Sequence, residues 1–178
     1  MTLWILYDRV VKVKGRDILN NSGEIRQNKK SPEEMLRNGQ TIQLEPNGFS
    51  MYPLIDPRKK DQAVIQPVWE GGVKKIRKIK TGDVLLFRRE GGILVLHRLI
   101  RKKKDGYYFT GDNQTVIEGP ISPDQVAGIM RARIRNGRET SLDNIFMKFI
   151  YTVWMWMFPI RPFIYSITRK IRKRKNGK

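Results

Sequence analysis

The sequence predicts a mainly β domain with a short N-terminal helix and a C-terminal helical, basic segment. Three observations carry that prediction. Between Gln40 and Arg135 the apolar residues fall in short runs bounded by Gly, Pro, Asn and Asp, the punctuation of a β barrel or sandwich. Upstream, Ser31-Pro32-Glu33-Glu34 has the composition of a helix start. Downstream, Ile145 to Phe158 is apolar on every face except at Lys148, and basic residues dominate the C-terminal end beyond it.

Taken in order, Leu3 to Lys14 is compatible with a short strand, and Asn20 to Lys30 has turn and linker composition. Ser31 supplies an N-cap oxygen, Pro32 fits the first helical position and two acids complement the helix dipole. Asn38-Gly39 closes this helix after about two turns. Strands come next at Thr41–Leu44, Ala63–Ile65, Asp83–Phe87, Ile93–Ile100, Tyr107–Thr110 and Val126–Ile134, with Glu90-Gly91-Gly92 as a hairpin turn. The basic stretch Val73 to Lys80 and the run Arg101 to Lys104 suit solvated loops, with no aromatic residue interleaved for base stacking. Ser141 is placed to cap the next helix. Pro159 and Pro162 break it, and a second amphipathic helix carries Phe163, Ile164, Ile167 and Ile171. The division is 1–39 as an extension, 40–140 as the β core and 141–178 as the tail.

Composition narrows the chemistry. The chain has 178 residues, suited to one domain with a real core. It has no cysteine, so thiol nucleophiles, disulfides and thiolate zinc sites are excluded. A single histidine, His97, makes a histidine-rich metal site implausible, and no metal or cofactor is expected. Net charge is +19, and the nine basic residues after Asp143 are offset by no acid. This basic, apolar tail predicts contact with an anionic membrane surface through residues 145–175, rather than a clean span. No specific nucleic-acid partner is expected. The apolar N-terminus stops at Asp8-Arg9, without the pattern of an export signal.

One constellation can carry catalysis. Ser50 lies in Gly48-Phe49-Ser50-Met51-Tyr52-Pro53, a glycine- and proline-bounded turn. A serine hydroxyl needs an adjacent base and donors for the developing oxyanion. His97, on the strand Ile93 to Ile100, is the one imidazole available. Asp112, in Gly111-Asp112-Asn113, offers a carboxylate to orient that imidazole. Taken singly, these are a turn serine, a core histidine and an Asx-type turn.

Their order and spacing resemble the superfamily of type I signal peptidases and LexA-like peptidases, most closely its archaeal, endoplasmic-reticulum and SipW-like members. The shared pieces are Gly48 to Pro53, Gly82-Asp83-Val84-Leu85-Leu86-Phe87, His97-Arg98 and Gly111-Asp112-Asn113, spanning about 40 to 135. The resemblance implies a signal-peptidase/LexA-like β-barrel-type catalytic core. It implies Ser50 as the acyl-forming nucleophile, His97 as general base where bacterial signal peptidases and LexA use lysine, and Asp112 as the orienting acid. The Ser50 N–H would help form the oxyanion hole. A peptide or protein substrate would bind as an extended strand beside Gly48, Phe49, Met51 and Pro53. The chain departs from the secretory members in lacking an N-terminal anchor before the serine box. Combined with a tail lying flat, this predicts a membrane-associated enzyme with its catalytic domain on the cytoplasmic side, acting on a leader-like or membrane-proximal peptide. The alternatives are a self-cleaving LexA-like regulator and a non-catalytic basic β module for anionic lipid or RNA.

Overall fold

The computed structural model describes residues 11–13, 31–68, 79–157 and 160. The fold is mainly β: a curled antiparallel half-barrel with short flanking helices. The strands are β1 (Val11–Val13), β2 (Ile42–Pro46), β3 (Gln62–Pro67), β4 (Val84–Arg88), β5 (Leu94–Lys103), β6 (Gly106–Thr110), β7 (Glu118–Ile121), β8 (Val126–Arg135) and β9 (Arg138–Ser141). They run in the order β1-β2-β3-β8-β4-β5-β6-β7, with β9 paired to β8. The helices are α1 (Pro32–Arg37) and α2 (Ile145–Trp156).

The expected helix start is realised at α1. Ser31 Oγ accepts from the Glu34 N–H at 3.1 Å, and Leu36 buries itself fully against the barrel. The hairpin at Glu90-Gly91-Gly92 forms as expected, with Gly91 and Gly92 at φ 86° and 83°, where side chains are strained. Two short strands escaped prediction. β7 contains Gly119-Pro120 and β9 is four polar residues, so neither has an apolar alternation to read. Of the expected strand Leu3–Lys14, Val11 to Val13 pairs with β2; its remainder lies outside the described residues, as do the Asn20–Lys30 linker and most of Val73–Lys80.

Strand pleating divides the core. Val84, Leu86 and Leu96 face a cluster with Leu44, Met51 and Leu54. Leu85, Phe87, Val95, Leu99 and Phe109 form the other cluster, with Phe87 stacked on Phe109 at 4.3 Å between ring centroids. Neighbouring residues of β5 therefore serve different halves of the core. His97 falls on the second side and Arg98 on the first.

The tail needs two corrections. Ser141 does not cap α2: it ends β9, and its Oγ accepts from the Asp143 N–H at 3.1 Å. The expected membrane-associated placement is also overturned. Among the described residues, no helix is long and apolar enough to cross a membrane. α2 is 12 residues long and sends Tyr151 and Trp154 onto the protein's own core, onto Arg98 and Asp112. Ile145, Phe149 and Trp156 stand exposed on it. The second helix expected after Pro162 lies outside the described residues.

Candidate active site

The serine turn connects β2 to β3 and is held from several sides. The Ile55 N–H donates to the Met51 carbonyl at 2.9 Å, closing the turn after Ser50. Arg133 reaches the Leu54 carbonyl at 3.3 Å. Asp61, wholly buried, accepts from the Asp56 N–H at 2.8 Å and from Arg135 Nε at 2.7 Å. Burial raises the carboxyl pKa of Asp61, but Arg135 and the Asp56 N–H together hold it below the ordinary value. Met51, Leu54 and Ile55 anchor the turn in the core.

Ser50 opens onto an apolar groove lined also by Leu44, Gly48, Met51, Leu86, Leu94, Val95 and Leu96. Of the expected substrate-binding residues, Gly48 and Met51 line this groove. Phe49 and Pro53 are exposed outside it. Phe49 and Tyr52 flank the Arg58 guanidinium, each ring centroid 5.6 Å from it; burial notwithstanding, that guanidinium holds the Asp56 carboxyl below its ordinary pKa.

The Gly111-Asp112-Asn113 turn meets the serine turn through the main chain. The Asn113 N–H donates to the Ser50 carbonyl at 2.7 Å. The approach is close enough that a Cβ added to Gly111 would lie 2.6 Å from that same oxygen. Asp112 itself does not orient His97. Its two carboxylate oxygens each accept from Arg98, Nε and Nη2, both at 2.6 Å. Arg98 is 1% exposed and Asp112 fully buried, so this is a buried, bidentate ion pair. Arg98 Nη1 adds a bond to the Gly82 carbonyl at 2.7 Å, and the Leu99 N–H donates to the Asp83 carbonyl at 2.8 Å. The Gly82-Asp83 pair thus clamps β5 where the His-Arg pair sits. Tyr151 of α2 covers the guanidinium at 4.4 Å, and burial pushes the Tyr151 hydroxyl up to about 12 against the pull of Arg98.

His97 has a different carboxylate. Its Nδ1 lies 3.3 Å from Oε2 of Glu118, the first residue of β7. Glu118 is also gripped by Arg89, through Nε and through Nη2 at 2.7 Å. Burial raises the Glu118 carboxyl pKa, but His97 and Arg89 more than offset this and hold it at about 2. The imidazole is 1% exposed and sits tilted against Phe87 at 6.3 Å. Among the described residues no hydrogen bond joins the Ser50 hydroxyl to His97. His97 is not among the residues lining the groove; Val95, two residues before it on β5, lines it with Ser50.

The structure thus joins Ser50 to the Asp112 turn, Asp112 to Arg98, and His97 to Glu118. Sequence reasoning missed Glu118 because it lies in the Glu-Gly-Pro-Ile run, which has no strand pattern. A signal was present: Glu118 is the first carboxylate after Asp112. No cluster of three or more metal-binding side chains occurs among the described residues. Comparison with protein-family models, with curated proteins and with solved structures finds no match.

Proposed function

We propose that this chain is a serine endopeptidase with a signal-peptidase/LexA-like catalytic core, in which Ser50 attacks the scissile carbonyl and His97 takes its proton. The observation that carries this reading is convergence. A glycine- and proline-bounded serine sits at the mouth of an apolar groove and is bonded through its carbonyl to the Gly-Asp-Asn turn at 2.7 Å. The strand bearing the lone histidine forms the opposite wall. An extended peptide would lie as an added strand along the Ser50 edge of this groove, with a small side chain before the scissile bond.

In this mechanism Glu118 takes the part first expected of Asp112. A carboxylate at Nδ1 fixes the tautomer, leaves Nε2 as the base, and stabilises the imidazolium formed after proton transfer. The acyl-enzyme then forms as the peptide nitrogen takes that proton and leaves. Water, activated by the same imidazole, hydrolyses the ester. Asp112 serves the site from beneath, neutralising Arg98 and holding the turn bonded to Ser50. This mechanism requires peptide binding to bring hydroxyl and imidazole within hydrogen-bond reach.

A fluorophosphonate probe tests this directly. The expected result is stoichiometric labelling of Ser50 in the full chain, none in Ser50→Ala, and labelling slowed at least 100-fold in His97→Ala, on the order expected for loss of a general base. Equal labelling of parent and Ser50→Ala would end the proposal.

A further inference from the structure

We infer that α2 sets the position of the serine turn, with Trp154 and Tyr151 as positioning residues for Ser50. The inference rests on the reading of Ser50 as nucleophile.

The contact runs through one peptide group. Trp154 Nε1–H donates to the Asp112 carbonyl at 3.1 Å. The Asn113 N–H donates to the Ser50 carbonyl at 2.7 Å. The Asp112 carbonyl and the Asn113 N–H are the two ends of a single planar peptide unit. Rotating that plane disturbs both bonds together, and each bond polarises the unit in favour of the other. The indole of α2 is thus linked to the main chain of the nucleophile by two hydrogen bonds and one rigid plane.

A second contact holds the same residue from its side chain. The Tyr151 ring lies 4.4 Å over the Arg98 guanidinium, whose Nε and Nη2 grip the Asp112 carboxylate. Asp112 is therefore fixed at its carboxylate by Arg98 under Tyr151, and at its carbonyl by Trp154. Both aromatic side chains come from one face of α2, three residues apart, which is the spacing that places them side by side on a helix. Little slack remains at the turn itself: a Cβ on Gly111 would lie 2.6 Å from the Ser50 carbonyl oxygen.

Trp154→Phe removes the donor and keeps an aromatic ring, and Tyr151→Leu removes the ring over Arg98. Both are measured in the full chain. Hydrogen exchange of the Asn113 amide is expected to rise about tenfold in Trp154→Phe, because local opening becomes easier. The fluorophosphonate reaction, resolved into its maximal rate and its half-saturating concentration, is expected to lose about tenfold in rate with half-saturation unchanged, the mark of a misplaced nucleophile. Thermal midpoints report folding, and Tyr151→Leu repeats the test should Trp154→Phe fold poorly. Wild-type exchange at Asn113 in both folded variants would overturn the inference. So would parallel losses of rate, half-saturation and thermal midpoint, which indicate a structural role alone. Should the parent chain itself resist the probe, the nucleophile assignment falls, and Asn113 exchange still decides whether α2 holds the turn.

Discussion

His97 and Arg98 are adjacent in sequence, yet the pleat of β5 sends them to different carboxylates. Arg98 finds Asp112 and His97 finds Glu118. The two acids therefore separate by experiment. On the proposed mechanism, Glu118→Gln should lower the turnover or acylation rate by about 10²- to 10⁴-fold, as when a triad carboxylate loses its charge. Asp112→Asn should act chiefly on stability, costing about 3–5 kcal/mol by leaving Arg98 buried and unpaired; denaturant titration and acylation kinetics on both variants check this. The pH dependence arises from the same acid. The Glu118 carboxyl is depressed from 4.5 to about 2 in the folded protein, so the unfolded chain takes up its proton first as pH falls. The stability that Glu118 contributes is complete above about pH 4.5 and is lost on acidification toward pH 2. Unfolding measured between these limits should show a shallower acid decline in Glu118→Gln than in the parent.

Among elements, the serine turn and the Gly-Asp-Asn turn behave as one unit. Gly111 shows why a glycine stands there. A Cβ would lie 2.6 Å from the Ser50 carbonyl and 2.8 Å from Gln114 Oε1. The glutamine can swing aside, whereas the main-chain oxygen moves only with the serine turn. Gly111→Ala should therefore cost about 1–3 kcal/mol, the range for overpacking a tight contact, and should slow acylation of Ser50 as well. Thermal unfolding and probe labelling on that variant test the two effects together; a variant equal to the parent in both would contradict the packing described. α1 and α2 illustrate how far local signals reach. The Ser-Pro-Glu-Glu start of α1 is satisfied within its own first turn, so it is readable from four residues. α2 was legible as an apolar helix, but its destination was not. Its hydrophobic residues suited a bilayer as well as a protein surface, and only the seating of Tyr151 on Arg98 and of Trp154 on Asp112 decides for these two side chains.

Over the whole molecule, the sequence by itself determined the mainly β architecture. Short apolar runs between turn residues specify strands, because alternation and turn chemistry act over a few residues. Local logic alone gave Ser50, His97 and Asp112 ordinary structural readings; their order and spacing singled them out. The tertiary structure decided which side chain meets which. Partnership between charged groups depends on strand register and on the curl that brings Glu118 of β7 within reach of His97 on β5 and the serine turn beside the Gly-Asp-Asn turn. None of these is encoded within a short window. Hence Glu118, hidden in a run without strand pattern, became the carboxylate of His97, and Asp112, the acid expected there, became the counter-ion of Arg98. The two exchange places because side chains one residue apart on a strand face opposite ways, while the long-range pairing that sets their surroundings exists only in the folded sheet.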